Sequence, residues 1–223
     1  MLAGLILAAG SSSRMGRPKV ALPLGSRGQS VLSYGVSALL NAGVPRVVVV
    51  AGAHLAAVRS ALGATDRRVV VVEHAGWARG QLSSLLCGLD AVDTPSLEAV
   101  LVSPADVPLV RPATIRQVMS AWRHSDACIV RPARGDRHGH PVLFDRRLFQ
   151  ELRAADLDAG AKSVVRAHAA ETLNVPVSDE GAFLDMDVPA DYERLQTLAR
   201  ALEGPSVRAG RRELAPGGAK ADS

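Results

Sequence analysis

An unbroken apolar run from Leu2 to Ala9 ends in Gly10-Ser11-Ser12-Ser13-Arg14-Met15-Gly16-Arg17-Pro18-Lys19. A strand with no polar side has to be covered on both faces, the condition of an inner strand in a parallel sheet. The residues that follow are small, so backbone N–H groups can approach a ligand closely and form a nest for an anion. Arg14, Arg17 and Lys19 then add full positive charge with no acid among them. Buried strand, small-residue turn and cations in that order call for a polyphosphate at the strand's end. A glycine-serine turn with incidental surface cations is the plainer alternative.

The rest of the chain repeats the strand-then-helix pattern. Ser30 is placed to cap a helix over Val31–Ala42, with Gly43 as its stop. Arg46–Ala51, Val69–Val72 and Ala99–Ser103 read as further strands, separated by helices at Leu55–Leu62 and Leu82–Ala91. Pro112 fits the first turn of a helix running to about Arg123, and Ala127–Arg131 follows as a strand. Beyond Gly135 the expected elements are a strand at Val142–Phe144, helices near Arg146–Leu152 and Ala161–Ala169, a strand at Leu173–Val177, and a closing helix over Ala190–Ala201. This alternation predicts a Rossmann-like, doubly wound three-layer α/β sandwich with a mostly parallel sheet and ligands at the strands' C-terminal ends. One domain over residues 1–203 is expected, with residues 204–223, rich in Gly, Pro, Ala and Arg, as a disordered tail.

Composition narrows the partners. Aromatic residues make up only 3% of the chain, which argues against single-strand nucleic-acid binding on stacking platforms. The formal charge is +4, yet no Asp or Glu precedes Asp66, so the acid-free leading segment suits an anionic ligand. Arg27, Arg46 and Arg59 in that segment read equally as solvated surface. Cys87 and Cys128 lack metal-type spacing and read as buried thiols in a reducing cytoplasm. The apolar start has no basic region before it, and no apolar run is long enough to span a membrane.

Three phosphate-binding patterns compete for the first loop. A Walker A loop fails because Met15 and the distant Lys19 break its spacing, and a dinucleotide fingerprint fails for want of a second glycine two residues after Gly10. The third, L-A-A-G-x-S-x-R-M-G-x-x-K, fits as it stands. It resembles the signature loop of the nucleotidyltransferases related to the molybdenum cofactor guanylyl- and cytidylyltransferases, and the resemblance extends over about residues 3–198.

That resemblance implies the fold of the nucleotide-diphospho-sugar transferases and a set of roles. Arg14 and Lys19 would act on the triphosphate, and Leu7, Ala8, Ala9, Gly10, Gly80 and Ser84 would line the nucleotide. Asp106, in Pro104-Ala105-Asp106-Val107-Pro108, stands where the family has a metal-binding Asp, with Val107 in place of the usual Gln; its plainer role is to cap a turn. Phe183-Leu184-Asp185-Met186-Asp187-Val188-Pro189-Ala190-Asp191-Tyr192 resembles the family's D-I-D-T-P-E-D-Y segment. As a strand it would aim Asp185 and Asp187 to one face; Asp187 is the favoured second ligand for Mg²⁺ and Asp185 the alternate, while Asp191 falls in the first turn of the last helix. Gly76–Leu85 resembles a W-x-x-G-M-x-x-S-L segment, with Gln81 for Met, although Ser83 and Ser84 also suit helix caps.

Gly139, His140 and Pro141 match a G-H-P acceptor segment, and the two histidines of that loop read equally as a polar turn. Lys162 stands where the family has Arg. The expected activity is Mg²⁺-dependent transfer of CMP from CTP to the phosphate of molybdopterin, with release of pyrophosphate and delivery of the product to a molybdoenzyme. The alternatives are GTP as donor, another small phosphorylated acceptor, or a non-catalytic cofactor carrier.

Overall fold

The computed structural model describes residues 1–12, 15–64 and 66–203; the expectations for Arg14 and for the tail lie outside them. Its strands and α-helices follow in the order β1 (Leu2–Ala8), β2 (Pro23–Leu24), β3 (Gln29–Ser30), α1 (Val31–Asn41), β4 (Val47–Ala51), α2 (Leu55–Leu62), β5 (Val69–Glu73), α3 (Gln81–Asp90) and β6 (Ala99–Pro104). Then come α4 (Pro112–Arg123), β7 (Ile129–Arg134), β8 (Arg137–His138), β9 (Val142–Asp145), α5 (Phe149–Ala154), α6 (Ala161–Ala167), β10 (Thr172–Pro176) and α7 (Pro189–Glu203).

The main sheet runs β10-β7-β9-β6-β1-β4-β5, with β8 added to β7. Pairings of β1 with β4 and β6, of β4 with β5 and of β7 with β10 are parallel. Two strands run antiparallel to their partners: β9, which lies between β6 and β7, and the two-residue β8 on β7. β10 and β5 end the sheet on its two sides, and the four valines of β5 are only half-buried.

Strand alternation sends side chains to two cores. Leu2, Ile6, Val47, Val49 and Leu101 face Leu32 and Val36 of α1, Val58 of α2, and Ile115 and Val118 of α4. Leu5, Leu7, Val48, Val50 and Val102 face Leu82, Leu85 and Leu89 of α3, Leu152 of α5 and Val164 of α6. This is the three-layer α/β sandwich that the alternation predicts. Fully burying each such Leu, Ile or Val stabilises the fold by about 1.5–3 kcal/mol relative to exposure, so the stacked layers hold the strand ends that carry the site.

Local signals set the helix boundaries. The Ser30 hydroxyl accepts from the Ser33 N–H at 3.0 Å and caps α1 as expected, and Pro112 opens α4. A third cluster joins Leu22, Leu24 and Val31 to Leu109, Met186 and Leu195, which fastens α7 over the β2–β3 hairpin. One expectation fails. Phe183–Asp187 is not a strand: a 3-10 turn over Glu180–Phe183 leads into an irregular segment. None of the described helices is long and apolar enough to cross a membrane.

Candidate active site

The strand order changes direction at β1, which pairs with β4 on one side and β6 on the other. Such a reversal opens a crevice outside the strands' C-terminal ends. The loop after β1, the turn after β6 and the Asp185–Asp187 segment all reach it.

The first loop is tied down by neighbours rather than by regular structure. Ala9 O accepts from the Ala53 N–H at 3.1 Å, and Ser11 O accepts from His54 Nε2 at 2.8 Å. Ser12 has φ 52°, a left-handed conformation that few non-glycine residues adopt and that tends to occur at functional loops. Its hydroxyl accepts from the Lys19 N–H at 3.2 Å, and its carbonyl from the Met15 N–H at 3.0 Å. The loop therefore closes on itself and returns Lys19 to the crevice.

Lys19 Nζ donates to Asp106 Oδ2 at 2.6 Å and to the Met186 carbonyl at 3.1 Å, and lies 3.5 Å from Asp187 Oδ1. Three segments far apart in sequence thus converge on one ammonium group. Met186 is fully buried while Asp185 is exposed and Asp187 half-exposed, so the two carboxylates sit on the solvent side of one anchor. The same-face arrangement expected of a strand survives without the strand. Asp191 is a helix-start residue as expected: its carboxylate accepts from the N–H groups of Val188 at 2.9 Å and Asp187 at 3.0 Å. Those two bonds hold its pKa below the usual carboxylate range.

Two cavities meet here. The smaller, about 360 Å³, is lined by Leu7, Ala8, Ala9, Gly10, Gly80 and Ser84, all six residues expected at the nucleotide, and by Lys19. The larger, about 1000 Å³, is lined by His138, His140, Lys162, Asp185 and Asp187. Leu7, Gly80, Gln81, Pro104 and Asp106 border both, so Asp106 stands at the junction. Gly139 and Pro141 do not line the larger cavity. Gly139 instead permits a close approach: a Cβ there would sit 2.5 Å from the Ala182 carbonyl. His140 Nδ1 is buried without a hydrogen-bond partner among the described residues, and burial lowers the imidazole pKa.

The wall opposite the first loop depends on residues that the sequence reading passed over. Gly52 carries no motif, yet a Cβ on it would lie 2.6 Å from both Ala9 O and Trp77 Cβ. Its missing side chain lets the Trp77 turn close on the loop. Ser83 is no helix cap; its hydroxyl donates to Gly80 O at 2.7 Å and therefore accepts from His74 Nε2 at 2.9 Å. This fixes His74 as the Nε2–H tautomer, and burial, then Arg79, lowers its pKa. The Met186 carbonyl gives no side-chain signal, while His54 and His74 lie outside every motif.

The profile of the family described as "MobA-like NTP transferase domain" matches residues 4–172. The chain is 30% identical over 199 residues to the nicotine blue oxidoreductase of Paenarthrobacter nicotinovorans, covering 86% of this chain and 95% of that protein. It is 32% identical over 204 residues to the molybdenum cofactor guanylyltransferase of Cereibacter sphaeroides, covering 89% of this chain and 97% of that one. Among solved structures, Rv0371C of Mycobacterium tuberculosis H37Rv in complex with manganese is similar, with TM-score 0.69 and 31% identity, over 88% of this chain and 98% of that one.

Proposed function

Because the chain belongs to the MobA-like NTP transferase family, we propose that it moves CMP from CTP onto the phosphate of molybdopterin. An acceptor phosphate oxygen attacks the α-phosphorus of the nucleotide, the bond to the β-phosphate bridging oxygen breaks, and pyrophosphate leaves. Attacking and leaving groups are both anionic, so the protein's task is alignment and charge neutralisation.

One observation carries this reading: Lys19 is held against Asp106 and Asp187 at the junction of a smaller and a larger cavity. The smaller, bordered by backbone from Leu7 to Ser12, suits the triphosphate and base. The larger has room for a pterin-sized acceptor, with His138, His140 and Lys162 in its lining to meet a polar edge and phosphate. Lys19 supplies a point charge to the β- and γ-phosphates, and Arg14 is assigned the same task. Two carboxylates around one cation are a fitting donor set for a hard divalent ion, so Asp106 and Asp187 are proposed to hold Mg²⁺. When bound, that ion offsets phosphate charge. Asp185 is the alternate second carboxylate.

The base choice rests on Ala9, which is almost fully buried and lines the smaller cavity. Its methyl narrows the backbone edge where a glycine would admit a purine. The Cereibacter relative is named for guanylyl transfer, so GTP is the donor against which CTP is compared. The test is pyrophosphate release with CTP, GTP, ATP or UTP and Mg²⁺, with and without molybdopterin. Release that needs both CTP and molybdopterin supports the proposal; release with GTP alone as donor corrects the base. No release with any nucleotide rejects nucleotidyl transfer, and leaves oxidoreduction of the kind named for the Paenarthrobacter relative as the reading to pursue.

A further inference from the structure

The crevice uses the C-terminal ends of the strands. At the other end of the sheet, three metal-ligating side chains converge. Cys128 directly precedes β7, Glu171 directly precedes β10, and His168 follows the last turn of α6. The Cys128 N–H donates to Glu171 O at 3.2 Å, so sheet pairing itself fixes the separation of the first two residues. Cys128 Sγ, a ring nitrogen of His168 and a carboxylate oxygen of Glu171 all lie within 4.8 Å of one another.

The histidine is held in a way that suits a ligand. His168 Nδ1 faces Glu171 Oε1 at 3.1 Å, while Nε2 is bound to Glu151 Oε2 at 2.6 Å. Histidines that ligate metals commonly give the other ring N–H to a carboxylate, which fixes the ring and strengthens the donor nitrogen. Glu151 of α5 occupies that supporting place. Cys128 is buried and Glu171 exposed, so an ion can enter past Glu171 and be held from within by sulfur.

We propose that Cys128, His168 and Glu171 form a second cation site, selective for Zn²⁺ and separate from the carboxylates of the crevice. One sulfur, one nitrogen and one oxygen donor, with water as a fourth ligand, satisfy zinc's tetrahedral preference; the thiolate and imidazole disfavour Mg²⁺ and Ca²⁺. On binding, the Cys128 thiol and the His168 Nδ1–H that faces Glu171 Oε1 each give a proton to solvent, which frees both donor atoms for the ion. The ion joins the starts of β7 and β10 to the end of α6, a helix of seven residues whose Ala161 and Lys162 line the larger cavity. Zinc there steadies one wall of the larger cavity from behind.

The test uses the full-length chain stripped with a chelator, with Zn²⁺ and then Co²⁺ as probes. Expected are one zinc retained per chain after desalting and a thiolate-to-cobalt charge-transfer band. Cys128→Ser should abolish the band, His168→Gln should remove zinc retention, and Glu151→Gln should weaken zinc binding by about 10–100-fold. Asp106→Asn, which alters only the crevice, should leave retention and band intact. A folded wild-type chain that retains no zinc and shows no band overturns the proposal. So does a band that persists in Cys128→Ser, which would assign it to Cys87.

Discussion

Lys19 Nζ lies 2.6 Å from Asp106 Oδ2, across 87 residues of sequence. The loop after β1 and the turn after β6 are thus joined by a charged pair whose side chains are 18% and 21% exposed. A pair at that depth falls between surface bridges worth less than 1 kcal/mol and buried ones whose breakage costs about 3–5 kcal/mol. Lys19→Ala should therefore cost about 1–2 kcal/mol in stability and lower nucleotidyl transfer by at least roughly tenfold, since the charge acts on phosphates as the bond breaks. Thermal melts beside pyrophosphate release check both. Unchanged release in a folded variant removes Lys19 from the mechanism.

Asp106→Asn keeps the shape of the side chain and loses the charge that a hard cation requires. Its turnover should no longer respond to Mg²⁺. Asp187→Asn should raise the Mg²⁺ concentration needed for half-maximal rate, whereas Asp185→Asn should titrate like the wild type. If the last two exchange behaviour, Asp185 is the second ligand.

Ala9→Gly should narrow the preference for CTP over GTP. One methyl in a binding pocket is worth about 1–3 kcal/mol, a factor of order tens. The ratio of kcat/KM for the two nucleotides with one acceptor, in wild type and variant, measures it directly. An unchanged ratio assigns the selection to another part of the cavity, such as Gly80–Ser84.

Gly52→Ala places a methyl against the Ala9 carbonyl and Trp77, each 2.6 Å from the ideal Cβ position. Overpacking of this kind typically costs about 1–3 kcal/mol. Because the contact lies between two walls of the smaller cavity, the KM for nucleotide should rise more than kcat falls. Equal KM values would show that the Trp77 turn moves without consequence.

Glu203 accepts from the Ser26 hydroxyl and N–H and from the Tyr34 hydroxyl, and these bonds, Ser26 first, hold its pKa at about 2. A depressed folded pKa means that this stabilisation is present at neutral pH. It is lost as pH falls from the ordinary glutamate range toward 2. Tyr34, raised to about 12 by burial and then by Glu203, works the other way: its contribution is lost as pH rises from 10 toward 12. Glu203→Gln should flatten the acid limb of a Tm-against-pH curve, and Tyr34→Phe the alkaline limb.

The layered fold was legible because its signals are local. Four consecutive valines can only be a buried or edge strand, the interval from Leu55 to Leu62 matches α2 at both ends, and Ser30 caps the helix it precedes. β9 was legible as a strand but not as antiparallel, since direction is set by which partner it meets in space. The two-residue strands β2 and β3 are too short to leave a pattern. At the site, Asp106 and the Asp185-Met186-Asp187 alternation could be read from residue type. That Lys19 would turn back onto them could not, because it depends on Ser12 adopting a left-handed conformation. Gly52 was invisible for a similar reason: its role is to leave space, and space has no sequence signature.

Among the described residues, β5 closes one side of the sheet with Val69–Val72, half-buried and bonded to a neighbouring strand along one edge only. An open edge of valines is a template for strand addition from a second molecule, the first step of self-association. Arg67 and Arg68 precede it and Glu73 ends it. Charge at both ends is the usual guard against such growth, because a copy added parallel and in register would set like charges beside each other. The charged residues at the two ends of β5, Arg68 with its partner Asp66 among them, thus have a task apart from the crevice: to oppose growth at this edge.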